Sequence, residues 1–330
     1  MNTEEFEANK KEQAYLMRRY NQYLKLERSL SPNTCEAYQA DVAKLLSFLS
    51  VEGVRVKDVT LDTLETFVAT LHDVGIQLRS QARIVSGVRS FFRFLLMDNY
   101  LDSDPGELLV TPKIGRRLPE VLTVDEIDRI IAAVDMDKPE GQRNRAIVEM
   151  LYSCGLRVSE LCGLKLSDLN FDEGFIRVEG KGGKQRLVPV SPRAVKEVNF
   201  WLMDRCHGRI KPGHEDYVFL ARWGNAISRI MVFHLVKELA REAGITKPIS
   251  PHTFRHSFAT HLLEGGANLR AIQAMLGHES IGTTEIYTHI DRNMLRAEII
   301  EHHPRNIRYR ERMRSSREAD GSGGAAPSGT

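Results

Sequence analysis

The 330-residue sequence contains no long apolar run. None of its hydrophobic stretches approaches the roughly 20 residues that a membrane-spanning helix needs. The first 11 residues are acidic and polar, whereas a secretory signal has a basic start and an apolar centre. We therefore expect no membrane segment and a cytoplasmic protein.

Paired cysteines and net charge are also scarce. The four cysteines include no CxxC pair, which predicts reduced thiols and argues against a disulfide framework. The net charge is only +2, so the overall composition does not indicate nucleic-acid binding. Such a function would depend on basic side chains gathered on one face.

The length exceeds that of one hydrophobic core, so two domains are expected. We predict a mainly α (α+β) protein: a helical domain at residues 14–102, a linker at 103–119, a mixed α/β domain at 120–304, and a basic, then disordered tail at 305–330. Two segments, 175–179 and 186–190, alternate around a glycine-rich tip and predict a β-hairpin. Helices are predicted near 37–49, 61–71, 79–97, 144–153, 194–206, 228–243, 254–264, 269–276, 283–287 and 291–302.

The predicted helix 79–97 has two contrasting stripes. Its apolar stripe consists of Ile84, Val88, Phe91 and Leu95. Its opposite stripe carries Arg79, Arg83, Ser86, Ser90 and Arg93. By itself this pattern is typical of a solvated face opposite a core face. If another part of the chain acts on DNA, a helix laid along phosphates fits this pattern better.

Prolines and basic residues alternate in the predicted linker. Such segments are typical of interdomain connections. Its basic residues, which we expect to touch DNA if the domains enclose a duplex, are Lys113, Arg116 and Arg117.

The second half of the chain carries residues suited to a phosphodiester. Planar guanidinium groups neutralise a phosphate bidentately, and a tyrosine, a weak nucleophile at its usual pKa of about 10, needs neighbours that accept its proton. The residues in question are Arg157, Lys181, His252, Arg255, His278 and Tyr287. Since His252 and Arg255 are three apart, a helix would place them on one face.

These residues lie in boxes that resemble the signatures of the tyrosine recombinase (integrase) family, and within it the Xer branch. The order and spacing of the boxes fit as well, and the likeness runs from about residue 15 to 305. The boxes are Gly155–Leu161, Gly180–Lys184, His252–His256, Leu276–His278 and Ile286–His289.

The resemblance implies a role for each residue. Tyr287 would be the nucleophile, forming a 3′-phosphotyrosyl link, and Lys181 the acid that protonates the leaving 5′ oxygen, with Lys184 as its competitor. Arg157 and Arg255 would hold the non-bridging oxygens. His278 would bind the phosphate and His252 accept the proton of the tyrosine.

Other interpretations stand beside these roles. Tyr287 has the pattern of a half-buried core tyrosine, and Arg157 that of a surface arginine. Glu160 would orient a basic group of the site, or be only a capping carboxylate. Zinc binding by His252, His256 and His261 is disfavoured, because no His-Glu-x-x-His pattern or cysteine pair accompanies them.

The family also implies function and partners. It predicts a helical, SAM-like core-binding domain, a catalytic domain and a Holliday-junction intermediate on double-stranded DNA. Because the phosphotyrosyl link conserves the bond energy, no metal or other cofactor is required. The implied role is chromosome-dimer resolution at a dif-like site, with a XerC-type recombinase in a heterotetramer and an FtsK-type translocase. The alternatives are a mobile-element integrase, a DNA-binding module without catalysis and a type IB topoisomerase.

Overall fold

A computed structural model describes residues 3–112, 115, 120–180, 183–277, 289–308 and 310–311. The chain divides into two compact units, 1–117 and 118–330. No helix among the described residues is long and apolar enough to cross a membrane. The linker charges Lys113, Arg116 and Arg117, the predicted helix 283–287 and most of the predicted tail lie outside the described residues.

The first unit is helical, as predicted. Its α-helices are α1 (Thr3–Gln22), α2 (Pro32–Glu52), α3 (Leu61–Asp73) and α4 (Leu78–Met97). Ser31 caps α2 by accepting a hydrogen bond from the backbone N–H of Thr34, with Pro32 in the first turn. The core lies between α4 and the other helices and includes Tyr20, Leu45, Phe67 and Phe91. Helix α1 begins ahead of the predicted start of this domain.

The second unit surrounds a central helix. Its elements are α5 (Val124–Ala132), α6 (Gly141–Ser153), α7 (Val158–Gly163), β1 (Leu169–Asn170), β2 (Phe175–Glu179), β3 (Gln185–Pro189), α8 (Pro192–Cys206), α9 (Arg229–Glu242), α10 (Pro251–Glu264), α11 (Leu269–Leu276) and α12 (His289–His302). Residues 146–152 of α6 are fully buried, and α5, α7, α8, α9 and α10 pack against this helix. A capping box of Thr123 and Glu126 begins α5.

The sheet is small and antiparallel, in the order β1-β2-β3. The predicted hairpin is confirmed: Ile176 pairs with Val188, and Val178 with Arg186. The sequence interpretation missed β1, which has only two residues and therefore too short a pattern to show alternation. Strand β3 packs against α11 and α12, and this brings the hairpin next to the segments that carry the predicted site.

The packed part of the second unit continues beyond residue 304, where the tail was predicted to begin. Residues 304–308 are helical, and the side chain of Arg305 is only 1% exposed. The Nη1 of Arg305 lies 2.8 Å from the Oδ1 of Asp128, and its Nη2 lies 3.0 Å from the Oε2 of Glu149. The packing extends past the predicted boundary because these two carboxylates are available to pair with the guanidinium of Arg305.

Candidate active site

The turn between α6 and α7 places the first predicted phosphate ligand. Gly155 has a positive φ of 58°, and an added Cβ there would lie 2.4 Å from a ring carbon of Phe258. Glycine is therefore required both by the backbone and by the close approach of α10. Arg157 follows as the N-cap residue of α7, with its side chain 34% exposed.

Glu160 makes one contact that fits each of the two alternatives that the sequence left open. Its Oε2 accepts a hydrogen bond of 2.8 Å from the backbone N–H of Arg157, which is the contact that the carboxylate of a capping box makes. Its Oε1 accepts one of 2.7 Å from the guanidinium of the same residue. The carboxylate thus begins the helix and orients the arginine.

Arg255 comes from α10, about 100 residues further along the chain. Its Nη1 donates to the carbonyl of Gly155 over 2.8 Å and lies 3.9 Å from the Oε2 of Glu160. Burial, followed by the charge of Arg157, lowers the pKa of Arg255 to about 10. The group remains cationic at neutral pH, in a place where a further anion would relieve the repulsion between the two arginines.

The carbonyl end of α11 meets the same cluster. Arg255 donates to the carbonyl of Leu276, and Arg157 donates to that of Gly277 over 3.4 Å. Gly277 ends the helix in the left-handed conformation, with φ 64°. In sequence, the next residue is the predicted site residue His278.

Sequence reasoning missed Arg186, a buried arginine that lies in the same cluster. It donates to both oxygens of Glu160, over 2.8 and 2.9 Å. Burial alone would raise the pKa of Glu160, but the hydrogen bonds and charge of Arg186, with those of Arg157, lower it below its usual value. The signal was present in the sequence: the alternation of β3 puts Arg186 on the same inward face as Val188.

The remaining predicted residues are only partly placed. His252 is exposed at the start of α10, one turn before Arg255. Lys181, His278 and Tyr287 lie outside the described residues, so the structure does not test their roles. Lys184, the competing lysine, is exposed at the hairpin.

The zinc alternative receives no geometric support. His261 is buried and hydrogen-bonds to the hydroxyl of Tyr152 over 2.8 Å. In the part of the chain that the structure describes, no three His, Cys, Asp or Glu side chains form a group that would hold a metal ion.

The arginine face of α4 is formed as predicted. Arg79, Arg83, Ser86 and Arg93 are exposed and Ser90 is half-buried, while the opposite stripe is buried. One member has a partner already: the guanidinium of Arg83 pairs with the buried carboxylate of Asp41 on α2. A phosphate bound at Arg83 would therefore share this guanidinium group with the carboxylate of Asp41.

The two-unit architecture matches solved recombinases. XerH bound to palindromic difH substrate, in a post-cleavage complex, aligns with a TM-score of 0.65 at 22% identity over 86% of this chain and 84% of that one. A lambda integrase dimer bound to a COC' core site aligns with a TM-score of 0.66 at 19% identity, over 86% and 77%. The protein thus has the tyrosine recombinase fold.

Sequence comparison extends the likeness from fold to family. Residues 120–294 match the phage integrase family, and residues 17–99 match the phage integrase N-terminal SAM-like domain. The chain belongs to this family and is a tyrosine recombinase, an enzyme that transfers DNA strands.

Among tyrosine recombinases, the chain is similar to curated proteins of the XerD type. The tyrosine recombinase XerD of Chlorobaculum tepidum is 44% identical over 86% of this chain and 94% of its own length. That of Staphylococcus saprophyticus is 38% identical over 88% and 99%. The segments 112–119 and 302–305 of the sequence also favour the XerD type over the XerC type, and the relatives confirm this resemblance.

Proposed function

We propose that this recombinase resolves chromosome dimers at a dif-like site in double-stranded DNA, in the cytoplasm, together with a XerC-type recombinase in a heterotetramer and under the control of an FtsK-type translocase. The names of the XerD relatives support this role. The observation that carries the chemistry is the convergence of Arg157 and Arg255 on Glu160, since a cluster with more cations than carboxylates is matched to an anion.

The proposed reaction is a transesterification. The phenolic oxygen of Tyr287 attacks the scissile phosphorus and passes its proton to His252. The bond from phosphorus to the 5′ oxygen breaks, and Lys181 protonates that oxygen. The products are a 3′-phosphotyrosyl link and a free 5′ hydroxyl. The 5′ hydroxyl of a partner duplex then reverses the step and exchanges strands through a Holliday junction.

Each remaining residue has a distinct task in this proposal. Arg157, Arg255 and His278 stabilise the charge that builds up on the phosphate, and removing one well-placed donor of this kind raises a barrier by about 3–4 kcal/mol. Glu160 orients Arg157. Arg79, Arg83, Arg93, Lys113, Arg116 and Arg117 bind the DNA backbone. The mechanism requires neither a metal nor another cofactor.

A nicked suicide duplex that carries a dif-like site tests the proposal. Wild-type protein should form a covalent DNA complex that resists denaturation, because the short cleaved strand diffuses away. Tyr287→Phe should bind the duplex with nearly unchanged affinity and form no covalent complex, since only the nucleophilic oxygen is lost. A covalent complex with Tyr287→Phe would overturn the assignment, and cleavage of unrelated duplexes at the same rate would exclude the dif-like substrate.

A further inference from the structure

Arg186 is almost completely buried, so it cannot be a phosphate ligand of the kind that Arg157 and Arg255 are proposed to be. Its side chain is 8% exposed, and the carboxylate of Glu160 that it faces is 1% exposed. The two parallel hydrogen bonds between them form a bidentate pair, the geometry in which an arginine and a carboxylate hold each other most firmly.

This pairing changes what Glu160 can do to Arg157. A buried carboxylate attracts every nearby guanidinium, and Arg157 lies only 2.7 Å from its Oε1. The charge of Arg186 offsets that of Glu160, so the hold of the carboxylate on Arg157 is weaker than it would be alone. Glu160 thereby orients Arg157 but neutralises its charge only in part, so Arg157 can still attract another anion.

Arg186 also holds the end of α11. Its Nε donates to the carbonyl of Met275 over 2.7 Å, and a Cβ added to Gly277 would lie 3.0 Å from its Cδ. Three successive carbonyls at this end, those of Met275, Leu276 and Gly277, accept hydrogen bonds from three different arginines. The partial negative charge at the C-terminus of a helix attracts cations, so the three guanidinium groups are further stabilised at this end of α11.

We propose that Arg186 is a positioning residue of the recombinase site. It compensates the charge of Glu160 so that Arg157 remains available to the phosphate, and it fixes the end of α11 just before His278. This inference rests on the proposed function for its catalytic consequence. The charge compensation itself affects how strongly Arg157 binds a phosphate of any kind, and this binding can be measured without cleavage.

Single-turnover cleavage of pre-bound suicide substrate tests the catalytic part. Arg186→Met should be about 30- to 100-fold slower than wild type, somewhat less than the loss of a donor that touches the reacting phosphate. Adding Glu160→Gln to Arg186→Met should restore at least about tenfold of the rate, since the uncompensated carboxylate is then gone. Arg186→Lys, which keeps the charge and loses the fork, should lie between wild type and Arg186→Met.

Arg205→Met is the matched structural control. Arg205 is another buried arginine of the same unit, and it donates to the carbonyls of Glu215 and Tyr217. At a temperature where circular dichroism shows every variant folded, Arg205→Met should cleave within about twofold of wild type. A rate for Arg186→Met within threefold of wild type, or a further loss on adding Glu160→Gln, would overturn the proposal.

Inorganic phosphate gives a second readout that does not need cleavage. Phosphate is titrated into arginine-labelled protein, and binding is followed by the guanidinium NMR resonances of Arg157. Phosphate should bind at least about tenfold more weakly to Arg186→Met than to wild type. Adding Glu160→Gln to Arg186→Met should restore that binding. If wild type forms no covalent complex but this pattern holds, the proposed function fails and the role of Arg186 stands. If Arg157 responds equally in wild type and Arg186→Met, the role of Arg186 is wrong.

Discussion

Each of the two units buries a carboxylate next to an arginine that we expect to contact DNA phosphate. The side chain of Asp41 in the first unit is 0% exposed, and that of Glu160 in the second is 1% exposed. Burial raises the pKa of Asp41, and Arg83 and Lys44 only partly offset this. At Glu160 the same effect of burial is outweighed by Arg186 and Arg157, and the pKa is lowered.

The number of donors explains the difference. The Oδ1 of Asp41 accepts no hydrogen bond from the described residues, and Lys44 lies 3.9 Å from it. Glu160 accepts four hydrogen bonds from two guanidinium groups and one backbone N–H. Burial therefore does not by itself set the direction in which the pKa of a carboxyl group shifts; the supply of charged partners and N–H donors does. The second unit provides that supply, as a site for a charged reaction requires.

The largest expected contrast is in stability. Glu160→Gln leaves Arg186 buried without a counter-charge and should cost about 3–5 kcal/mol of unfolding free energy. Asp41→Asn removes an incompletely paired buried charge, and the exposed Arg83 can turn to water, so it should change stability by about 1 kcal/mol or less, towards greater stability. Urea unfolding of both variants at pH 7 measures this. Equal losses would show that the two carboxylates are equivalent.

The arginines of the two units should differ in the step that they affect. Arg255→Ala should slow cleavage of bound DNA by about 10²- to 10³-fold, with Arg255→Lys as a milder variant that keeps the charge. Arg83→Ala should instead lower the log–log salt slope of binding by about 0.9 and leave cleavage of bound DNA within twofold. Filter binding over a salt series measures the effect on DNA binding, and single-turnover cleavage measures the effect on the reaction. If Arg83→Ala leaves the slope unchanged, the α4 face is a solvated surface.

Two glycines in the left-handed region provide a packing comparison. An added Cβ at Gly155 would meet Phe258 at 2.4 Å, whereas one at Gly53 would meet nothing within 4 Å. Both alanine variants carry backbone strain of about 1–2 kcal/mol, and Gly155→Ala adds overpacking of about 1–3 kcal/mol. Thermal unfolding should therefore separate them by about 2 kcal/mol. Equal losses would show that α10 moves aside at no cost.

The smallest contrast is the response to acid. Only one of the 11 histidines lies in residues 1–117. In the second unit, burial lowers the pKa of His303 to about 3, and that of His261 is also lowered. The unfolded chain protonates such groups near pH 6.5, so between pH 6.5 and 3 it binds more protons than the folded unit. Lowering the pH through this window should therefore reduce the stability of the second unit, by about 1.4 kcal/mol per pH unit for His303.

Asp41 acts in the opposite direction in the first unit. Because its pKa is raised, the stability linked to its protonation is present at low pH and is lost as pH rises through the folded-state value. Hydrogen exchange at pH 7.5 and 5.5, corrected for the intrinsic rates, should therefore show loss of protection in α6 and none in α4. His303→Leu should reduce the loss in α6. Parallel losses in both helices would contradict this account.

Local patterns were enough to predict much of the fold. The two stripes of α4 and the alternation of the hairpin strands each depend on residues close together in the chain, so the sequence displays them directly. The family followed from short boxes with fixed spacing, and it implied Arg157 and Arg255 as partners although they lie far apart in the chain.

Tertiary structure alone decided which charges meet. Arg186 on β3, Glu160 on α7 and Met275 on α11 come together only when the hairpin packs against both helices, and Asp41 meets Arg83 only when α2 packs against α4. No periodicity within one element records such a pairing, because the energy of a buried charge depends on every group around it. For the same reason Arg305, the first residue of the predicted basic tail, is held in the core by Asp128 and Glu149.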